Sequence, residues 1–493
     1  MIPPKHPIHG SLLLYFNSDA QDKADIVASI KSKIVPGRID VNIMTRVDKM
    51  NYDKEGNPLP REYSDALSAL KGFAKSKIEG SVVFSAGMNP SLYGYTENFG
   101  CFFPDHMGKT QKGIILKVSD YRSALIQGKF FAKKGLFVSE FRIESGLNCG
   151  GHAFATDGFL IGTILEEFKT NRKELYDTIF NTCQQTLTQH FKNHLCDSTE
   201  MKITYQGGIG THAEDSFLKE YYQLDGTGWG SPFLLVPEAT AVDADTLDRI
   251  LKSKKSDYFL SYASPLGVPF HNLRNSSGEE QRKSRIEKNR PGSPCFKKFL
   301  ATNTEFTEKP ICTASRQYQI LKLKEAASQN IEEAELDRIK EKDCLCEGLS
   351  APGILSVGGT PRRNLFAVTI CPGPNLAYFK STYSLKQMID HIYGKINLRL
   401  DSERPHVFVK ELQLYVTYFK NEIEHYLKEG SIKNQKKLDK FRENLIEGIS
   451  YYQNLANQVS IDSLDIIQKM KSQFSQLKSE IESFSKELSF EAI

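Results

Sequence analysis

The sequence predicts an α/β fold of the TIM-like (β/α) barrel type, and three observations carry that expectation. Over residues 1–245, short apolar runs alternate with stretches whose apolar residues recur every three or four positions. Buried parallel strands joined by amphipathic helices give this pattern. Several apolar runs stop directly at Gly, Asn, Ser or Met, as in "VVFSAGMN" and "ITYQGGIG", and strand C-terminal ends are where α/β folds bind ligands. The chain has 493 residues, enough for a barrel of about 250 residues with additions.

In chain order, "HGSLLLYF" reads as a strand and "DAQDKADIVASIKSKI" as a helix. "RIDVNIMT" is a strand, "YSDALSALKGFAKSKI" a helix, and "GSVVFSAG" and "KGIILKVS" are strands. "DYRSALIQGKFFAKK" is a helix and "GLFVSEFR" a strand. One long helix is expected from "DGFLIGT" to "KNHL", then strand "MKITYQGG", helix "EDSFLKEYYQ" and strand "GWGSPFLLVPE". Beyond residue 246 the chain turns charged and rich in Gly and Pro, and residues 278–290 read as a solvated loop. A helical stretch lies between Cys312 and Cys344. From 384 onward three stretches keep helical spacing, with Ser460 and Asp462 suited to an N-terminal cap. The expected division is a barrel over 1–250, an irregular cysteine-rich extension over 251–383, and an all-helical domain over 384–493.

Composition narrows the function. Lys and Arg number 64 against 60 Asp and Glu, a net charge of +4. That balance, without basic blocks interleaved with aromatics, argues against nucleic acid. No apolar stretch approaches the roughly 20 residues a bilayer span needs, so no membrane association is expected. "MIPPKHPIHG" lacks the pattern of a signal peptide, and a cytoplasmic location is the expectation.

Three glycine-rich strand ends stand out. "ESGLNCGGHAF" holds Gly150, Gly151 and His152, "TYQGGIGTHAE" holds Gly207, Gly208 and Gly210, and "LDGTGWGSPF" holds Gly230 and Ser231. Glycines between a strand and a helix let backbone N–H groups approach a phosphate, aided by the helix dipole. An imidazole at such an end can exchange a proton near neutral pH. A tight βα turn and a core histidine are the plainer alternatives.

On these motifs, the stretch from Val41 to Asp243 resembles the nitronate monooxygenase (2-nitropropane dioxygenase-like) family of FMN-dependent barrels, which includes the enoyl reductases of polyunsaturated fatty acid synthases. "VNIMT", "VVFSAG", the Gly-Gly-His end, "ITYQGGIGT" and "LDGTGWGSPFLLVPE" match in order. The resemblance implies FMN, with phosphate at Gly207, Gly208, Gly230 and Ser231, and His152 beside the flavin as the catalytic residue. Gly150 and Gly151 would leave room for the ring. Gly210 completes the phosphate turn. Asn42, Met44, Ser85 and Lys117 are further candidate flavin contacts, with interior packing, or an ion pair for Lys117, as their alternative. The family's glutamate before Gly-Gly-His is replaced here by Asn148 and Cys149. Only "HGSLLLYF" precedes Val41, so the expectation is a barrel that lacks an N-terminal strand, is rearranged, or is completed by another chain.

Five of the nine cysteines, Cys295, Cys312, Cys344, Cys346 and Cys371, fall within a short segment. Such clustering in a cytosolic chain points to a metal or redox role before disulfides. Four thiolates would suit an iron–sulfur cluster or zinc, although the spacing fits no standard ligand pattern; free or redox thiols remain the alternative. The expected function is an FMN-dependent oxidoreductase acting on a small-molecule carbon acid, of nitronate or enoyl type. An iron–sulfur flavoprotein reductase and a non-catalytic assembly subunit are the alternatives. The helical tail is a candidate surface for a homo-oligomer or a partner chain.

Overall fold

The computed structural model describes residues 8–490 apart from 20, 35–36, 46–47, 86, 149–156, 192, 329–332, 399, 430–431 and 459–463. Two helices, α1 (His9–Asn17) and α2 (Lys23–Lys33), come first. Alternating units follow: β1 (Val41–Met44), α3 (Asp65–Lys75), β2 (Ser81–Ser85), α4 (Pro90–Tyr95), β3 (Gly113–Val118), α5 (Tyr121–Ala132), β4 (Glu140–Glu144), α6 (Ile161–Thr170), α7 (Arg172–Thr186), β5 (Lys202–Gln206), α8 (His212–Tyr221) and β6 (Gly226–Gly228).

The six strands form one parallel sheet in the order β1-β2-β3-β4-β5-β6. Neighbours in space are neighbours in sequence, and the order never reverses. Among the described residues no ladder joins β6 back to β1, so what is shown is an open six-stranded sheet, not a closed barrel. "HGSLLLYF", read as a strand, is helix α1, which buries none of its residues. An isolated strand gains nothing without a ladder to join.

Side chains alternate strictly across the sheet. Ile43, Val82, Phe84, Ile114, Leu116, Phe141, Ile143, Ile203 and Tyr205 point to one face and enter the main core. The opposite face is polar. Near the strand starts, Arg142 donates to Glu140 at 2.8 Å and reaches Asp40 at 3.5 Å, while Arg38 lies 3.6 Å from Glu140. Thr204 donates to Glu140 at 2.7 Å. These contacts link the approach to β1 with β4, three places away, and Val83 and Ile115 on the same face are buried. That face is therefore concave.

Beyond the sheet come α9 (Ala244–Lys252), a two-stranded antiparallel hairpin of β7 (Tyr258–Ser261) and β8 (Phe270–Leu273), α10 (Ser277–Glu287), α11 (Arg316–Ser328), α12 (Glu333–Glu341), α13 (Leu345–Gly348), α14 (Ala351–Ser356) and α15 (Leu385–Ile392). The charged run read as a loop is thus helix α10. Ser276 caps it, its side chain accepting the Glu279 N–H, and a serine three residues before a glutamate is a helix-start signal.

Two further corrections have local causes. "GWGSPFLLVPE" is not a strand: β6 is confined to Gly226–Gly228, and Ser231–Leu235 forms a 3-10 turn. Pro232 suits the first turn of a helix and cannot donate to a ladder. The long helix after residue 158 breaks at Asn171, whose φ of −101° and ψ of 13° lie off the helical values.

Three long helices end the chain: α16 (Val407–Glu429), α17 (Ile432–Gln458) and α18 (Leu464–Phe490). They pack on one another, and α16 and α17 lie against α6. Phe408, Leu412, Tyr415, Phe419, Leu445, Ile449, Tyr452 and Phe474 belong to the same continuous core as the sheet. Each such side chain removed from water contributes about 1.5–3 kcal/mol. Ser460 and Asp462, the expected cap, lie outside the described residues.

Candidate functional site

A polar constellation occupies the concave face where β3, β4 and β5 end. Lys117 pairs with Glu144 at 2.6 Å. Asn148 donates to the same Glu144 oxygen at 2.6 Å, and Gln206 donates to it as well. The register explains the convergence. Lys117 lies opposite Arg142, two residues before Glu144 on the same face, and Gln206 lies directly opposite Glu144. All four side chains remain only partly buried, so a ligand could meet them. On the first strands Asn42 donates to Ser85 at 3.4 Å, and Ser85 donates to the Ile43 carbonyl at 3.2 Å. Met44 is exposed at this edge. Gly150, Gly151 and His152 lie outside the described residues.

The two later glycine bends are neighbours, because Gln206 pairs with Gly228 in the sheet. Gly207 (φ +126°) and Gly208 (φ +79°) adopt backbone that other residues rarely take. A side chain at Gly207 would strike Ser145, and one at Gly208 would lie 2.6 Å from Leu147. Gly230 is exposed and Ser231 buried at the start of the 3-10 turn. The ring of Trp229 meets His391 edge-on at 6.0 Å, with its Nε1 buried and unpartnered.

Gly210 is different. Its N–H donates to Glu214 at 2.9 Å, and Thr211 caps α8 by accepting the Glu214 N–H. Arg404 forks onto both Glu214 oxygens at 2.8 Å, and donates to Asn375 at 2.9 Å and the Gly208 carbonyl at 3.0 Å. Burial alone would push the Glu214 carboxyl up; the Arg404 guanidinium and His406 outweigh it and hold it below its ordinary value. The amide end of α8 is thus filled by the chain's own carboxylate and guanidinium.

The cysteine loops form the second site. Cys295, Cys312 and Cys346 gather around Leu300 and Ala314, while Cys295 and Cys344 line one small cavity with Arg285, Asp343 and Glu347. The thiols stand in two touching pairs. The Cys312 S–H meets the Cys295 sulfur and brings that thiol down to about 7. In the same way the Cys344 S–H lowers Cys346. The donors, Cys312 and Cys344, are pushed up by the same contacts and by burial. Each sulfur also accepts a backbone N–H: Lys298 to Cys295, Ala314 to Cys312, Glu347 to Cys344 and Leu300 to Cys346. Cys295 holds φ at +52° and Lys298 at +54°, a strained backbone of the kind retained at functional sites. Cys371, expected with the other four, packs instead with Phe270 and Leu345 in a separate apolar group. Among the described residues no three His, Cys, Asp or Glu side chains are grouped to hold a metal ion.

The hairpin connects the two sites. His271 on β8 donates from Nε2 to the Gly146 carbonyl, just after β4, at 2.6 Å. Burial lowers this imidazole to about 4, so it stays neutral. Its neighbour Phe270 packs on Leu345, between Cys344 and Cys346.

Glu144, Gln206, Glu214 and Arg404 were not expected at these sites, whereas Asn148 stands where the resembled family carries a glutamate. For Glu144 a signal existed: "EFRIE" carries charge at every second residue of β4, which marks a polar sheet face. Arg404 lies in "DSERPHV", where nothing local announces a buried ion pair. No family model matches this chain, and no curated protein matches it.

Proposed function

We propose that the chain is an oxidoreductase that works at the carboxyl edge of its parallel sheet, with FMN as the group held there. The observation that carries this reading is the adjacency of the two glycine bends beside the Lys117–Glu144–Gln206–Asn148 constellation. Close backbone approach at Gly207, Gly208, Gly230 and Ser231 fits a phosphate; Gly210 does not serve, because its N–H is engaged by Glu214. Asn42, Ser85 and Met44 line the first strands of the same edge. When bound, the flavin supplies hydride or electron transfer to a small carbon acid of nitronate or enoyl type. The chain's own part is to orient that substrate and to hold charge. Lys117 balances Glu144, and His152, as the residue that the family resemblance implies, would move the proton at the reacting carbon.

The test is titration of the purified full-length chain with FMN, followed by flavin fluorescence and visible absorption. Quenching with micromolar affinity, or flavin released on denaturation, is the expected result. A colourless protein that takes up no FMN overturns the reading. The Arg404–Glu214 fork in the third glycine position favours a second one, a sheet kept as an assembly subunit without flavin. The same titration decides between them.

A further inference from the structure

The 3-10 turn Pro374–Tyr378 sits on the bend after β5. Asn375 donates to the Ile209 carbonyl at 2.9 Å, and Arg404 donates to Asn375 at 2.9 Å. Tyr378 ends this turn, and its carbonyl accepts the Asp401 N–H at 3.2 Å. Only 5% of Tyr378 is exposed. A buried tyrosine hydroxyl usually finds a hydrogen-bond partner, yet this one has none among the described residues, and its oxygen is not sealed from water. Two ammonium groups lie over the same ring, Lys255 at 5.0 Å from its centre and Lys410 at 5.7 Å. Three elements therefore meet at Tyr378: its own turn, the turn Lys255–Asp257 before β7, and the first turn of α16.

Cations outnumber their partners at this seam. Lys255 and Lys380 share Asp401, at 3.4 and 3.6 Å. Arg404 is taken by Glu214 at 2.8 Å. Lys410 meets no carboxylate among the described residues. The Tyr378 ring attracts its charge, but offers no lone pair to its N–H donors. Lys410 also stands in the first turn of α16, where the helix dipole is positive and favours an anion. Burial, then Lys255 and Arg404, push its amine down to about 8, as befits a cation set among cations. Lys410 is partly buried, whereas Lys255 and Lys380 are exposed, so the seam opens to solvent on their side. A partly buried ammonium without an acceptor is costly, and an anion seated there would supply the missing one.

We propose that Lys410, Lys255 and the Tyr378 hydroxyl bind a phosphate monoester group at the seam between the hairpin and α16. The two ammonium groups supply charge, and the hydroxyl donates to one phosphate oxygen. A phosphate monoester brings up to about two negative charges and several acceptor oxygens, which suits two point-charge lysines and one hydroxyl. A carboxylate brings a single charge and a planar edge that arginine matches better. The site uses none of the residues assigned to the FMN phosphate and does not rest on that reading.

The test titrates the full-length chain with inorganic phosphate and with pyrophosphate in a calorimeter at low ionic strength. Saturable binding of pyrophosphate is expected. Lys410→Met should weaken it about tenfold, equivalent to about 1.4 kcal/mol. Tyr378→Phe keeps the ring and removes only the hydroxyl, and should weaken it about fivefold, the worth of one hydrogen bond. Lys420→Met removes the same charge from an exposed position on the same helix, where Lys420 meets Glu424 at 3.8 Å, and should bind as the unaltered chain does. No binding to the unaltered chain overturns the proposal. So does unchanged affinity in folded Lys410→Met or Tyr378→Phe, or an equal loss in Lys420→Met. If Lys410→Met misfolds, Tyr378→Phe decides. FMN added to the chain saturated with pyrophosphate separates the two sources of the ester. Displacement makes the phosphate the flavin's own, and simultaneous binding makes it a substrate's. Pyrophosphate binding without FMN uptake removes the flavin reading alone, and FMN uptake without pyrophosphate binding removes this one alone.

Discussion

Gly162 on α6 turns its bare Cα toward the ring of Tyr452 on α17, and its N–H donates to that tyrosine's hydroxyl at 3.0 Å. A methyl group at Gly162 would enter the Tyr452 ring. The helices cannot separate freely, because Gly448 on α17 also meets Leu160 closely, 2.7 Å from an added Cβ. Gly162→Ala should therefore destabilise the chain by about 1–3 kcal/mol, the usual cost of overpacking. The midpoint of urea denaturation measures it. An unchanged midpoint would show that the tail does not dock on α6 as described.

The Tyr452 hydroxyl donates in turn to Glu411 at 3.2 Å, and the Ile161 N–H donates to the same carboxyl at 2.9 Å. Burial raises Glu411 to about 8 from the 4.5 ordinary for a glutamate. The folded chain then holds a proton that the unfolded chain has released, so stability falls as pH rises from about 4.5 to about 8. The slope is at most about 1.4 kcal/mol per pH unit. Glu411→Gln, which keeps an acceptor and never ionises, should flatten this decline. Thermal midpoints compared at pH 5 and pH 8 test it, and equal slopes in both proteins would refute the assignment.

Arg404 and Glu214 are both almost fully buried. Removing one partner leaves the other as an uncompensated charge, at a cost of about 3–5 kcal/mol. Arg404→Met should lose that much. Arg404→Lys should recover only part of it, since an ammonium cannot fork onto both carboxylate oxygens while also reaching Asn375 and Gly208. Denaturant titration of the two variants gives the ordering; equal losses would mean that charge alone matters there.

At the strand ends the prediction concerns binding. Lys117→Met leaves the Glu144 carboxylate without its cation, adding net negative charge where an anionic mononucleotide would dock. FMN affinity should fall about tenfold, equivalent to about 1.4 kcal/mol. Glu144→Gln removes that repulsion and should bind at least as tightly as the unaltered chain. Fluorescence quenching of FMN measures both, and a Lys117→Met affinity equal to the parent's would detach this pair from the site.

The sheet was legible because its signal is local. Five of the six strands were located, since apolar residues bound for a buried parallel sheet form runs such as "VVFS" and "IILKV". "HGSLLLYF" misled because the same composition suits a short helix, and only a partner strand would have decided it. Helix α10 was hidden by its charge, although Ser276 and Glu279 announced its start. The candidate sites were legible by residue type and not by partnership. Lys117 was picked out, yet Glu144, which it meets, became visible only through the register of β3 with β4. The cysteine group was visible as a cluster in sequence. Its division into two pairs, with Cys371 apart, depends on loop folding that the spacing does not encode.

The core that α16, α17 and α18 share with the sheet has a consequence for biosynthesis. Helix α6 leaves the ribosome long before α16 and α17, which lie against it. Until then the nascent chain carries an uncovered oily surface there, a ready target for chaperones, and clipping off α18 would bare the faces of α16 and α17 on which it packs.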